Sequence, residues 1–493
     1  MAPTLTHVEV AIAGSGFAGL AMAIRLKQRG EHDFAVLERA EDVGGTWRDN
    51  SYPGCACDVP SHLYSFSFEP NPRWSRTFSR QPEIQEYLRH CARKYGVLPH
   101  VRFGCELRDA RWDEAAQRWR LSTSTGEMTA RVLVAATGPL SEPSIPNLPG
   151  LDSFRGTVFH SARWNHAHDL RGRRVAVVGT GASAIQFVPL IQPQVERLTV
   201  FQRTPAWVMP HPDRPLKPVE RAVYSRVPAL QSLMRGGIYW ARETFVLGLL
   251  SNRTAIGERI ARRHLAKQVP DARLRAKLTP DFRLGCKRVL LSNDWYPALA
   301  RPNVEVVTSA VREVRENAVV AADGSVHEVD TIIFGTGFHV TDMPIGDRVR
   351  NAAGQSLAGV WQGSPQAYLG TSVAGFPNFF ILLGPNTGLG HTSVVLMVES
   401  QVDYVLDAMQ TMRQRGAAAV DVREDAQLAY NRQVQARMRG TVWTSGGCAS
   451  WYIDATGRNT TLWPGSTWSF RRRTRRFDAE HYTLHTPERE RAA

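Results

Sequence analysis

Two glycine clusters, Gly14-Ser15-Gly16-Phe17-Ala18-Gly19 and Gly179-Thr180-Gly181-Ala182-Ser183-Ala184, have the spacing at which backbone N–H groups opening a helix can meet a pyrophosphate. Glycine is needed there because a side chain would block the approach. Each cluster follows an apolar run, Val8 to Ala13 or Arg174 to Val178, and precedes an alanine- and leucine-bearing stretch of helical character. Alone, either loop would read as a tight strand-to-helix turn. What gives the pair meaning is the residue closing each unit. Glu38 ends the second strand of the first (Phe34 to Leu37), and a carboxylate there accepts a hydrogen bond from a free ribose 2′-hydroxyl. The matching strand of the second, Leu198 to Phe201, ends in Gln202-Arg203-Thr204. A cation at that point suits a 2′-phosphate. FAD is the usual occupant of such an N-terminal first site, and the second then asks for NADPH. Holding both in one chain implies passage of a hydride from nicotinamide to flavin.

Those loops need strands and helices to aim them, and the rest of the chain supplies the pattern. With 493 residues and 43% hydrophobic content, it predicts two or three domains and ample core. The fold class expected is α/β, with two Rossmann-like dinucleotide-binding domains and a helical insertion. Residues 1–149 and 340–493 read as the FAD domain, 150–212 and 281–339 as the NADPH domain, and 213–280 as the insertion. Within the first domain, Gly44 to Pro60 is a loop, a helix is expected around Pro82 to Tyr95, and Val101 to Asp113 with Trp119 to Thr123 form an antiparallel set. The Pro-rich segment Pro139 to Pro149 reads as a linker. Strands Val304 to Val307 and Thr331 to Phe334 complete the second domain. Return to the first comes with Phe379 to Leu383 and a helix from about Ser393 to Gln414, whose N-terminus favours negative charge.

Composition excludes other classes. The longest apolar stretch considered as a span, Phe245 to Leu250, is far short of the ~20 residues that cross a bilayer. No basic region or apolar leader core marks Met1 to His7, and a cytoplasmic address is expected. The net charge of +14 peaks at Arg471 to Arg476 without any nucleic-acid motif, so a solvated face and attraction for polyanionic cofactors account for it, and no nucleic-acid partner is expected. Six cysteines (55, 57, 91, 105, 286 and 448) form no C-x-x-C pair and are expected to be reduced thiols. A flavoprotein disulfide reductase, which needs a redox cysteine pair beside its flavin, is thereby disfavoured. No metal site is expected.

Between the two loops lies Phe154-Arg-Gly156-Thr-Val-Phe-His160-Ser-Ala-Arg-Trp164-Asn165. This resembles the F-x-G-x-x-x-H-x-x-x-W-[P/D] fingerprint of type I Baeyer–Villiger monooxygenases, with Asn165 departing from Pro or Asp at the last position. Gly44-Gly45-Thr46-Trp47, Tyr52-Pro53-Gly54 and Asp58 are similar to a second signature of that family. Lys287-Arg288 resembles the pair that enters the active site from the nicotinamide domain, and Ser450-Trp451-Tyr452 the segment whose tryptophan covers bound NADP.

The resemblance implies FAD bound by Gly14, Gly16, Gly19, Glu38, Gly45, Thr46, Trp47, Asp58 and Tyr64. It implies NADPH bound by Gly179, Thr180, Gly181, Ser183, Arg203, Thr204, Lys287 and Trp451. The reaction implied is insertion of one oxygen atom of O2 beside the carbonyl of a small-molecule ketone, through a C4a-peroxyflavin. Arg288 is the expected catalytic cation, permanently charged at any working pH, and Asp58 the carboxylate that holds it. His160 and Trp164 are expected to serve domain movement. The alternative is oxidation of sulfur or nitrogen centres by a related flavin monooxygenase. An uncoupled NADPH oxidase or redox-sensing flavoprotein is a further reading, opposed by Asp58 with Arg288.

Overall fold

The computed structural model describes residues 6–486. The first five residues, part of the stretch read above for a leader, lie outside them.

Fully buried strands run through the first sheet because both of its faces are covered. Phe34–Leu37 is buried at all four positions, and Thr6–Ala13 from Val10 onward. The two pair in parallel, Val10 opposite Phe34 and Ala13 opposite Leu37, so both end at the same edge. Gly126–Ala135 lies on the other side of the first strand and Phe379–Ile381 pairs with it, but the chain returns to this sheet earlier than expected, at Val349–Arg350, which pairs in parallel with Leu107–Asp113. Leu107–Asp113 and Arg118–Thr123 extend the sheet as an antiparallel ribbon whose Trp112 and Trp119 turn inward against each other. Val101–Arg102 is not part of that ribbon, contrary to the expectation. It pairs in parallel with Phe34–Leu37, and the chain then turns at Gly104, with φ of +62°, before the ribbon begins at Leu107.

The second sheet holds five parallel strands in the order Val304–Val307, Arg197–Phe201, Arg174–Val178, Thr331–Phe334, Thr157–His160. Such an all-parallel sheet opens a crevice at the carboxyl ends of its strands, where the second glycine loop sits. Beside it is an antiparallel sheet of Val311–Arg315, Ala318–Ala321 and Val326–Glu328, which the sequence reading did not anticipate.

Helices Pro218–Arg226, Pro228–Leu250, Ala255–Gln268 and Ala272–Lys277 occupy the region read as helical. The long one reaches the flavin-side segment, where Arg235 Nη1 donates to His62 O at 2.6 Å and Gln231 Nε2 to Asn71 O at 2.7 Å.

The cysteine expectation needs correction. Cys286 and Cys448 form a disulfide, whereas Cys55, Cys57, Cys91 and Cys105 are free and buried. Their separation of 162 residues leaves no trace in local spacing, since only the folded chain brings the loop before Lys287 against the one before Trp451. Burial pushes the Cys55 thiol up to about 12, which keeps it protonated and unreactive.

Candidate functional site

Both glycine loops make the same bend for the same reason. Gly14 and Gly179 sit at φ of +103° and +106°, where a Cβ would stand 2.7 Å from Ala136 O and 2.4 Å from Gly335 O. A Cβ at Gly19 would lie 1.9 Å from Gly14 O, so this third glycine lets the helix pack on the strand. The middle glycines differ. Gly16 has φ of −73°, open to any residue, and a Cβ there meets nothing nearer than 3.7 Å; at Gly181 the nearest atom is 4.0 Å away. The protein itself does not require glycine at those two positions. Space is being kept for a ligand, and a pyrophosphate laid across the N–H groups fits it.

The first loop opens on a cleft of roughly 1770 Å³, counting its mouth. Gly14, Ser15, Gly16, Glu38, Gly45, Thr46, Trp47 and Tyr64 line it, as do Leu383 to Pro385 and Val394 at the start of helix Val394–Gln414. Glu38 is buried and accepts hydrogen bonds from the Ser15 amide at 3.0 Å and hydroxyl at 2.5 Å, while Arg48 pairs with its other oxygen at 2.9 Å. Ser15 and Arg48 were not singled out from sequence. A serine inside the glycine loop and an arginine ten residues past the acid were the available signals. Trp47 Nε1–H donates to Tyr64 OH at 3.0 Å, which fixes two rings on one wall.

Arg288 and Asp58, 230 residues apart in sequence, meet as a bidentate pair: Nη2 to Oδ1 at 2.7 Å, Nη2 to Oδ2 at 2.6 Å and Nε to Oδ2 at 3.0 Å. Arg288 Nη1 donates to Leu389 O at 3.1 Å, tying the guanidinium to the Gly384–Gly390 loop that walls the cleft. About a third of each side chain stays exposed. Burial opposes the charge on Asp58, but Arg288 outweighs it and holds the carboxyl below its ordinary value. Asp58 in turn pushes the guanidinium up. The charge on Arg288 is therefore fixed, and one carboxylate sets its plane.

On the second nucleotide side, Arg203 is exposed and lies close enough to Lys287 to push its ammonium down, after the larger effect of burial. Two neighbouring cations with little acid between them suit a phosphate. Thr204, Thr180 and Ser183 are half-buried around the same crevice. Trp451 is 49% exposed, its ring tilted by 58° against that of Tyr452 with centroids 4.4 Å apart.

His160 ends strand Thr157–His160 and is buried. Its Nδ1 accepts from the Ala162 amide at 3.1 Å, which requires the neutral ring, and burial pushes the imidazole down to about 4. The unfolded chain takes up this proton near pH 6.5 and the folded one near pH 4, so stability falls as pH drops through that window. The expected loss is about 3 kcal/mol, and His160→Gln should flatten the slope in urea titrations across it. Trp164 packs between Phe159 and Phe187 at 5.1 and 5.2 Å. Asn165 Oδ1 accepts from the Ala167 amide at 3.2 Å, a turn that an aspartate would make equally well, and this accounts for the departure at the end of the fingerprint.

A flavin-binding monooxygenase-like family model matches residues 7–352. A Baeyer–Villiger monooxygenase of Streptomyces coelicolor is 56% identical over 98% of this chain and 93% of its own length. The chain belongs to the Baeyer–Villiger monooxygenases. Among solved structures, cyclohexanone monooxygenase from Rhodococcus sp. Phi1 bound to NADP+ superposes with a TM-score of 0.88 at 28% identity, covering 98% of this chain and all of that one. OTEMO in complex with FAD and NADP gives 0.87 at 27% identity, covering 97% and 99%.

Two features of this monooxygenase carried no sequence signal. Arg242, on the long insertion helix, has Asp58 and Arg288 as charged neighbours and no ion-pair partner among the described residues. Next to it, buried Glu243 lies 3.5 Å from His391 and accepts from the Thr467 amide at 3.1 Å. Burial raises this carboxyl, but His391 and Thr467 bring it below its ordinary value. Helical periodicity announces neither, because each faces a group more than a hundred residues away in the chain.

Gly16 provides a direct test of the first loop. Gly16→Ala should fold normally yet lose FAD affinity roughly tenfold to a hundredfold, because its methyl enters only the ligand's space. Flavin retention on desalting, read beside thermal melting of the flavin-free protein, checks this.

Proposed function

We propose that this protein inserts one atom of O2 beside the carbonyl of a ketone to give an ester or lactone. NADPH supplies the two electrons, and water and NADP+ leave with the product. The observation that carries the reading is Arg288, held in plane by Asp58 and by Leu389 O of the loop whose Gly384 to Gly388 wall the cleft.

When bound, FAD supplies the redox-active ring and NADPH the hydride. The chain's own residues do the rest. Gly14, Gly16 and Gly19 admit the first cofactor's pyrophosphate, Glu38 stands at the ribose position, and Gly45, Thr46, Trp47 and Tyr64 wall the cleft. Gly179, Thr180, Gly181 and Ser183 receive the second pyrophosphate. Arg203, Thr204 and Lys287 meet the 2′-phosphate, and Trp451 covers the nucleotide. Arg288 stabilises negative oxygen as it adds to the carbonyl, and Asp58 sets its orientation, by preorganised electrostatics worth several kcal/mol. His160 and Trp164, on the connection between the sheets, support movement of one nucleotide domain against the other.

The domain division that fits this reading is 1–149 with 340–493 for FAD, 150–212 with 281–339 for NADPH, and 213–280 as the insertion. A cytoplasmic address fits a reaction fed by NADPH and O2, and no nucleic-acid partner is needed. No helix among the described residues is long and apolar enough to cross a membrane, and none of their side chains cluster as a metal site.

The test is a panel of aliphatic, cyclic and aryl ketones with NADPH, followed by mass analysis for one added oxygen, with thioethers run in parallel. Ester or lactone formation is the expected result. NADPH consumption matched by H2O2 without product would overturn the reading, and sulfoxides alone would move it to heteroatom oxidation.

A further inference from the structure

The helix Pro228–Leu250 is built the wrong way round for a helix facing water. Its three charged residues, Arg235, Arg242 and Glu243, all lie on the half-buried or buried side, while its exposed positions carry no charge at all. Those exposed positions include Leu230, Leu233, Met234, Trp240, Phe245 and Leu247, with Leu233 72%, Trp240 59% and Leu247 64% exposed. Leu233, Trp240 and Leu247 recur every seven residues and form one stripe along the helix, with Leu230, Thr244 and Gly237 beside it. Polarity inside and an apolar stripe outside mean that this face is meant to be covered.

The neighbouring helices continue the pattern. Val219, Val223 and Val227 are exposed at every fourth position before it, and Ile256 and Ile260 after it. Eleven of the 21 exposed large apolar side chains among the described residues thus lie in 219–260, a small fraction of the chain. Scattered exposed leucines need no explanation, but such a concentration does.

Charge tells what covers it. Residues 217–268 contain ten Lys or Arg against three Glu, which places +7 of the chain's +14 in this segment. Helix Ala255–Gln268 carries exposed Ile256, Arg259, Ile260, Arg263 and Lys267 on one side, apolar and basic together. A second copy of the chain would bring like charge against like charge. An anionic bilayer surface satisfies both features: its acyl boundary takes the leucines and tryptophan, and its headgroups take the cations.

We infer that the helical insertion docks this protein peripherally on anionic membrane surface, with the Leu233-Trp240-Leu247 stripe in the headgroup boundary and the basic residues around it on the lipid phosphates. The helix lies in the plane of the surface and does not cross it, in keeping with its hydropathy. Its inner side, bearing Arg242, then separates the bilayer from the Asp58–Arg288 pair.

The experiment is flotation of the FAD-loaded full chain with vesicles of phosphatidylcholine containing about a third phosphatidylglycerol, beside vesicles of phosphatidylcholine alone. Expected is binding to the anionic vesicles that weakens roughly tenfold or more when ionic strength rises from about 0.05 to 0.5 M. The triple variant Leu233→Ser, Trp240→Ser, Leu247→Ser should bind roughly a hundredfold more weakly while keeping its flavin and its turnover of a water-soluble ketone. Arg259→Glu with Arg263→Glu should also weaken binding. Failure of the parent to float with anionic vesicles would overturn the inference. So would undiminished binding by the triple variant, which would reduce the effect to charge adsorption. A parent dimer in light scattering that the triple variant converts to monomer would assign the face to a second copy instead.

Discussion

Arg288→Ala is expected to lower ester or lactone formation by roughly a thousandfold while leaving FAD bound and still reducible by NADPH. Removing one preorganised charge stabiliser from a water-poor site costs about 3–4 kcal/mol of transition-state stabilisation, and nothing else in the described site supplies a planar cation at that place. Arg242 is the other cation nearby, but no carboxylate orients it. Arg288→Lys should recover little, because a compact ammonium cannot span both oxygens of Asp58 and the Leu389 carbonyl. Asp58→Asn should fall between, since it leaves the charge but frees its plane. Stopped-flow reduction and reoxidation, read beside product yield, separates the half-reactions. Near-normal product from the alanine variant would move the role elsewhere, and loss of reduction alone would make Arg288 a nicotinamide-binding residue.

Replacing Arg203 and Lys287 together by serine should raise KM for NADPH by roughly a hundredfold or more and leave NADH nearly unchanged. Charge-assisted hydrogen bonds to a phosphate are worth about 1.5–3 kcal/mol each, and only NADPH carries the 2′-phosphate. Burial, and after it the charge of Arg203, lowers the Lys287 ammonium, so the folded chain holds this cation at a cost that a bound phosphate relieves. The relief should appear as higher thermal stability of the parent with NADP+ than with NAD+, a difference absent from the double variant. Equal use of NADH by the parent would sink this assignment.

The two nucleotide units were legible because they are local. Strand, glycine loop, helix and closing charge fall within about thirty residues, and each position has a steric or electrostatic reason that holds in any context. Strands Val304–Val307 and Thr331–Phe334 were read from sequence to the residue, and helix Val394–Gln414 to within one, because uninterrupted apolar runs and a serine cap are also local signals. The antiparallel sheet at 311–328 was missed because its short strands sit among turn residues and become strands only by pairing with one another.

By itself the sequence determined which cofactors the chain is shaped for, and it singled out the arginine and the aspartate proposed to carry the chemistry, since those readings rest on glycine sterics, charge and short motifs. Tertiary structure alone decided how they meet. Asp58 and Arg288 are 230 residues apart, and their bidentate geometry exists only because the folded chain brings the two segments together. Cys286 and Cys448 pair for the same reason, against the local reading of six free thiols. The orientation of helix Pro228–Leu250 is likewise a tertiary outcome. Its apolar positions occupy nearly every side, so periodicity did not say which would face outward. The hydrogen bonds of Arg235 and Glu243 to distant backbone decided that, by turning the charges in and leaving Leu233, Trp240 and Leu247 at the surface.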